Sequence, residues 1–339
     1  MTTTSLKATD TGPALRLLSL GAGVQSTTVL LLACEGEIQR FDVALFADTG
    51  WEPRAVYANL DRLTAHAERH GIPVRQVSAG NIRADALDPK HRFVSMPLHT
   101  LNPDGSRGLA RRQCTAEYKI TPLKKAAREL LGYPHPRRVP RGVYAEQAIG
   151  ISTDEFTRAK DSGLRFLRNV FPLIDLDFDR TRCMEFLAER GFGETVKSAC
   201  VGCPFHGNAG WRWVRDNDPD GWAEAIEFDR AIRHGYPHAT TQGQELRGQY
   251  FLHRSCLPLD QVDLDAPPKS RSKKHLRLIT SESADAAVDS MEEDGDPDGC
   301  SPWSCRSGEP VTAVDHGHRE LGTLCRCDPQ QRLGIVESA

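Results

Sequence analysis

The spacing of apolar residues changes several times along the first 260 positions, and each change predicts an element. Leu15-Arg16-Leu17-Leu18-Ser19-Leu20 is an almost continuous apolar run of strand length. Thr27 to Cys34 is apolar again and reads as a helix, with Gly21, Gly23 and Ser26 in the turn between. Residues 41–47 (FDVALFA) predict a second strand. Val56, Leu60, Leu63 and Ala67 then recur at helical spacing, with Pro53 suited to the first turn and Gly71 to the end. PVRQVSA, residues 73–79, predicts a third strand. Strands alternating with helices imply an α/β fold, a Rossmann-like parallel sheet flanked by helices. Ligands of such sheets lie at the carboxyl ends of the strands. That position gathers Gly21–Ser26 and Asp48-Thr49-Gly50.

Residues 80–113 carry no clear period, which predicts a functional or mobile loop. Helical spacing resumes over 116–131, QAIGIS (147–152) is a further strand, and NVFPLID (169–175) leads to a helix from Asp179 to Gly191. Asp218-Pro219 opens another helix that runs through GWAEAIEFDRAIRHG. From residue 263 the chain turns basic (DAPPKSRSKKHLR), then acidic and poor in large apolar groups (SESADAAVDSMEEDGDPDG), which predicts disorder. The expected organisation is a disordered arm over 1–14, a nucleotide-binding domain over 15–178, a helical cysteine-bearing region over 179–262 and a low-complexity tail over 263–339.

Composition narrows the function classes. A formal net charge of −3 gives no general attraction to nucleic acid, although local basic patches remain. No apolar run reaches membrane-spanning length and the first residues lack a signal core, so a cytoplasmic protein is expected. Ten cysteines in that setting point to metal or redox chemistry rather than structural disulfides.

The turn between the first strand and helix reads as a phosphate loop. Unpaired N–H groups at a helix start attract an anion, and glycines let the backbone approach it. No Gly-Lys-Ser/Thr ending is present, and Ser26 occupies the third glycine position of the dinucleotide fingerprint. Such a turn can also bind nothing.

In SACVGCPFHG, Cys200 and Cys203 have the spacing that lets two thiolates reach one metal, and Pro204 stiffens the turn. Together with Cys114 (RRQCTAEYK) and Cys256 (FLHRSCLPL) they could hold a 4Fe–4S cluster or a tetrahedral zinc. Alternatively Cys114 and Cys256 are ordinary buried thiols. Cys34 and Cys183 fall inside helical patterns and read as core, and Cys300, Cys305, Cys325 and Cys327 follow no trusted spacing. Two groups of cations stand out: Arg107, Arg111, Arg112, Lys119, Lys124 and Lys125, and then Arg158, Lys160, Arg165 and Arg168. They are either anion ligands or a solvated face. Asp154 and Glu155 suit either a nucleotide-bound Mg²⁺ or a helix cap and ion pair.

SLGAGVQST resembles the pyrophosphatase loop of the adenine nucleotide alpha hydrolase superfamily. LFADTGWE resembles the segment after the second strand in phosphoadenosine-phosphosulfate reductases. RRQCTAEYKITPL, IGISTDEFTR, FPLID and CVGCPF are similar to segments of a reductase-like branch related to the DNA phosphorothioation sulfurtransferase subunit. The resemblance covers residues 15–260. It implies that Ser19, Gly21, Gly23, Gln25, Ser26 and Thr27 hold the phosphates of ATP and that Asp48, Thr49 and Gly50 lie near the adenosine. Gln25 stands where many members have Asp, and Ala22 where many have Gly. An amide does not hold a cation as a carboxylate does, which leaves any Mg²⁺ requirement open. The Glu-Cys-Gly-type terminal motif and the adjacent cysteine pair of sulfonucleotide reductases are missing.

The implied activity is ATP-dependent sulfur transfer with release of pyrophosphate, with Arg112, Lys119 and Arg158 as the cations that stabilise the leaving charge and a 4Fe–4S cluster, or zinc, on Cys114, Cys200, Cys203 and Cys256. A sulfur donor such as a cysteine desulfurase and a nucleic acid as acceptor are among the partners this implies. Two other readings share the fold: a sulfonucleotide reductase, and a nucleotide-binding redox regulator without catalysis.

Overall fold

The computed structural model describes residues 12–88, 90–91, 96–235, 240–241, 244–245 and 248–266. The expected arm, except its last three residues, and nearly all of the expected tail with its four cysteines lie outside these.

Strand β1 (Leu15–Leu20) leads into helix α1 (Val24–Glu35), followed by β2 (Val43–Asp48), α2 (Arg54–Arg69) and β3 (Val74–Ser78). Next come α3 (Ile82–Leu87), the short strands β4 (His99–Leu101) and β5 (Arg107–Leu109), a π-helical turn (Ala116–Ile120) and α4 (Thr121–Leu130). β6 (Ala145–Ile149), a 3-10 turn (Thr153–Arg158), β7 (Leu167–Val170), α5 (Pro172–Asp175) and α6 (Arg180–Glu189) complete the first layer system. Beyond them lie α7 (Asn208–Asn217), α8 (Pro219–Ala231), a two-residue hairpin of β8 (Thr240–Thr241) and β9 (Gln244–Glu245), β10 (Gln249–Phe251) and a last 3-10 turn (Leu259–Gln261).

Five strands form one parallel sheet in the order β3-β2-β1-β6-β7. The molecule is therefore an α/β protein with a Rossmann-like, helix-flanked sheet. Alternation along β1 explains its two faces. Leu18 and Leu20 pack with Leu30, Leu31, Leu60 and Leu63 of α1 and α2, whereas Leu17 packs with Leu123, Ala126 and Ala127 of α4. The chain builds β2 and β3 on one side of β1 and β6 and β7 on the other. The crevice between the carboxyl ends of β1 and β6 is thus the point where strand order reverses, the ligand position of open parallel sheets.

Asp179 and Asp218 cap α6 and α8, accepting from Arg182 N (2.7 Å) and Gly221 N (3.2 Å) as their sequence positions predict. The segment without a period is not one loop. It supplies α3, β4 and β5, and β4 pairs antiparallel with both β5 and β10. Periodicity fails there because three-residue strands are too short to display one. Ile82, Ala86, Met96 and Leu98 join Trp211, Val214, Phe228, Tyr250 and Leu252 in a second core. Helix α6, by contrast, packs on α1, with Cys183, Phe186 and Leu187 in the first core. The two cores therefore interleave along the chain rather than meeting at one boundary. No helix among the described residues is long and apolar enough to cross a membrane.

Candidate active site

The loop after β1 is shaped by its own residues. Ser26 Oγ accepts from Gly21 N (3.1 Å) and donates to Gly23 O (3.3 Å), drawing the loop around the start of α1. Ala22 adopts a left-handed conformation with φ 55°, which an L residue enters at a cost and glycine enters freely. Its carbonyl is tied to Asn59 Nδ2 at 2.9 Å. That bond holds the strained residue in place. The first turn of α1 has neither an acidic residue nor a capping side chain, so its N–H groups and the helix dipole face the crevice uncompensated. The hydroxyls of Ser19 and Thr27 are buried with no hydrogen-bond partner among the described residues.

Both ends of the Gln25 amide are engaged. Its Nε2 donates to Glu155 Oε1 at 2.7 Å, and its Oε1 accepts from Arg180 Nη1 at 3.2 Å. Glu155 also pairs with Arg158 at 2.9 Å. An Asp at position 25 would set a carboxylate toward the buried Glu155, so the amide belongs to this arrangement. Asp154 accepts from Arg180 N at 3.1 Å. Asp154 thus meets the start of α6, and Glu155 lies in an ion pair. Gly150, which ends β6, lets this wall close: a Cβ there would lie 2.6 Å from Ser26 N and 2.8 Å from the Gln25 carbonyl carbon.

The Asp48-Thr49-Gly50 turn is internally bonded. Asp48 Oδ1 accepts from Gly50 N (2.8 Å) and from the Tyr57 hydroxyl (2.9 Å). Burial, with the Asp48 carboxylate beside it, holds that phenol well above its ordinary range. Thr49 is buried and its Oγ1 donates to Glu52 Oε1 at 3.2 Å. Glu52, which the sequence reading passed over, is 1% exposed and pairs with Lys119 Nζ at 3.2 Å.

The cysteine turn closes on these groups. Ser198 lies where a Cβ on Gly23 would meet its N at 3.2 Å. Val201 N donates to Trp51 O at 2.8 Å. Cys200 Sγ is 3.3 Å from Thr49 Oγ1 and 3.6 Å from Glu52 Oε1. Cys203 N donates to Cys200 O at 3.0 Å, and both residues are buried. Gly202 between them has no room for a side chain, since a Cβ would fall 2.0 Å from the Trp51 ring.

The other two sequence-selected cysteines lie on segments that dock on the same turn. Arg112, two residues before Cys114, stacks on Phe205 at 4.7 Å. His99 Nε2 meets Pro204 O at 3.2 Å, and the next residue of β4, Thr100, accepts the Cys256 thiol at 3.7 Å. Cys256 has φ 52°, a second strained position at this site. Burial raises its pKa, with Arg107 and Arg233 working against the rise.

The chain matches no family model and no curated protein.

The cations fall into separate places. Lys119 stands at Glu52, Arg112 at the cysteine turn and Arg158 at Glu155. Arg165 and Arg168, which follow Arg158 closely in sequence, lie at the opposite end of the sheet. There they line an open groove of about 1270 Å³ with Arg128, Arg138 and Arg141. The intervening chain runs back along β6 to start the parallel strand β7, and this return separates them. Cys183 is core, its thiol pushed up to about 12 by burial. Cys34 is half-buried, and its Sγ lies with His66 and His70, their ligand atoms all within 4.8 Å of one another.

Proposed function

We propose that the chain is an ATP-dependent, AMP- and pyrophosphate-forming sulfurtransferase-like enzyme of the adenine nucleotide alpha hydrolase superfamily, with a metal centre at the cysteine turn. One observation carries the reading: the segment entering the Cys200–Cys203 turn meets Gly23 at Ser198, and Cys200 itself meets Thr49 and Glu52, so buried thiols and an uncapped helix start lie beside one another.

The residues present fit both groups. For a nucleotide, the uncapped first turn of α1, the buried hydroxyls of Ser19 and Thr27 and the left-handed Ala22 offer donors and close backbone approach to phosphate oxygens. Phe156, 64% exposed on the turn after β6, offers a ring face to a base. For a metal, Cys200 and Cys203 are two buried thiols on one turn, with Cys114 and Cys256 on neighbouring segments, and thiols are the soft donors that iron–sulfur clusters and zinc take when four are brought together. A bound 4Fe–4S cluster would supply an iron site able to carry sulfur. Lys119 and Arg112 hold positive charge beside the turn, and Arg158 holds it beside Gln25, where charge on departing pyrophosphate needs compensation. Cys256 must give up its bond to the Thr100 carbonyl, and its proton, to act as a ligand.

Anaerobic purification with iron and zinc analysis, followed by ATP titration and a pyrophosphate-release assay, tests the reading. ATP binding that weakens in Ser26→Ala and Gly23→Val, iron that falls in Cys200→Ser and Cys203→Ser, and pyrophosphate formed in the presence of a sulfur donor support it. Unchanged ATP affinity in both loop variants rejects the nucleotide site. A second reading, a nucleotide-binding redox regulator, is favoured by Gln25, whose amide is committed to Glu155 and Arg180. ATP binding with no pyrophosphate under any donor selects that one.

A further inference from the structure

Away from the crevice, at the far ends of α1 and α2, Cys34, His66 and His70 bring three metal-ligating atoms within 4.8 Å of one another. We propose that these residues bind a single Zn²⁺ that ties the end of α1 to the end of α2. The site is independent of the nucleotide and cysteine-turn reading.

Several features of the group suit a borderline divalent cation. One thiolate and two imidazoles are a zinc donor set, and three protein ligands leave a fourth position for water. His66 and His70 are four apart at the end of one helix, so both rings project from the same face. The rings stack with centroids 4.6 Å apart. His70 Nδ1 lies 2.9 Å from the His66 carbonyl. That bond fixes Nδ1 as the protonated nitrogen and leaves the Nε2 lone pair free, the outer-shell device that orients metal-bound histidines. Phe192 meets the His66 ring edge-on at 5.6 Å and limits its rotation. Burial is the main reason that the His66 pKa is lowered, which favours the neutral ring that a metal takes. Burial and Glu35 push the Cys34 thiol up to about 11. Binding therefore displaces one proton from that thiol as the sulfur–zinc bond forms. The Glu35 carboxylate is held by Arg190 through both oxygens and is not counted among the ligands.

The location gives the site a consequence. Helix α1 begins at the Gly21–Ser26 loop and α2 begins just after the Asp48–Glu52 turn. A metal at their far ends would fix the relative position of the two helices that start at the crevice.

The test uses the full-length protein, because the tail and the cysteine turn carry thiols of their own. Zinc is titrated into wild type, His70→Ala and Cys34→Ser after their as-purified metal content is measured. His70 is exposed, so its removal spares the fold, and thermal unfolding checks this in each variant. Wild type is expected to take up one zinc equivalent more than either variant, or to hold that equivalent about 100-fold more tightly, a loss at the upper end of what even outer-shell changes produce. Zinc should raise the wild-type Tm and leave that of His70→Ala unchanged. With cobalt, the wild-type-minus-variant spectrum should show tetrahedral d–d bands, and the Cys34→Ser difference should include a thiolate charge-transfer band. Equal stoichiometry, affinity and Tm response in wild type and His70→Ala would overturn the proposal, as would a cobalt difference spectrum without the sulfur band.

Discussion

Replacing Gly150 with alanine tests the packing that forms the crevice. The added Cβ would sit 2.6 Å from Ser26 N and 2.8 Å from the Gln25 carbonyl carbon, both backbone atoms in the first turn of α1. No rotamer relieves that contact. Reaching the ~3.5 Å at which two carbons meet without repulsion requires a shift of about 0.7 Å in β6 or α1. Overpacking of this kind costs about 1–3 kcal/mol. The same shift moves Gln25 and Ser26, so the bonds to Glu155 and Gly21 N lengthen and the loop loses its shape. Gly21→Ala is the control, because its Cβ would lie 3.6 Å from Ser26 Oγ, an ordinary contact. Urea unfolding of both variants at pH 7, with the slope checked against wild type, gives the stability change. Gly150→Ala should be less stable by about 1–3 kcal/mol, whereas Gly21→Ala should stay within about 0.5 kcal/mol of wild type. ATP titration should show weaker binding in both, in one through displaced backbone and in the other through a methyl in the phosphate path. A Gly150→Ala protein as stable as wild type would falsify the close approach of β6 to α1 on which the site rests.

Four more outcomes follow from particular contacts. Lys119→Met leaves the Glu52 carboxylate buried without its ammonium and should cost about 3–5 kcal/mol, whereas Glu52→Gln with Lys119→Met should recover part of that loss in urea melts; strict additivity would mean the pair is not coupled. His253 sits at about 4, lowered first by burial and then by Arg254 and His99, against 6.5 when unfolded. On acidification from pH 6.5 to about 4 the unfolded chain therefore binds a proton that the folded chain does not, so the stability it contributes is present above pH 6.5 and lost below it. A His253→Asn variant should flatten the stability-against-pH curve in that window by up to about one proton, and an unchanged slope rejects the assignment. Gly202→Ala drives a methyl into the Trp51 ring and should both destabilise the protein and lower its metal content; normal loading would show that the turn has slack. Phe156→Ala should leave stability within about 0.5 kcal/mol while raising the Kd for ATP, and an unaltered Kd removes the ring from base recognition.

The sequence alone determined the elements whose pattern is local. β1, β2 and α2 follow from the apolar run, the FDVALFA strand and the Val56–Ala67 spacing, because a buried strand and an amphipathic helix impose different periods on their own residues. The caps at Asp179 and Asp218 are equally local, since the acceptor and the N–H groups it serves lie within one turn. A turn between β1 and α1 was legible for the same reason. Its meeting with the cysteine turn was not. Residues 23 and 198, or 49 and 200, come together only when α6 and the following chain fold back over α1, and no spacing rule spans such a gap. Nothing in the sequence marked Glu52, and only its burial beside Lys119 and Cys200 gives it a role. Gln25 looked like a departure from a pattern until Glu155 and Arg180, from two other elements, closed on its amide. Arg158 and Arg168 were grouped by proximity in sequence and separated by the return of the chain to a parallel strand. Cys34 packs against the first core, as its helical position implied, but a helix pattern does not report that His66 and His70 stand beside it. Local preference decided where the chain turns and which face it buries, whereas side chains distant in sequence met only through the packing of whole elements, whose register depends on all the contacts at once.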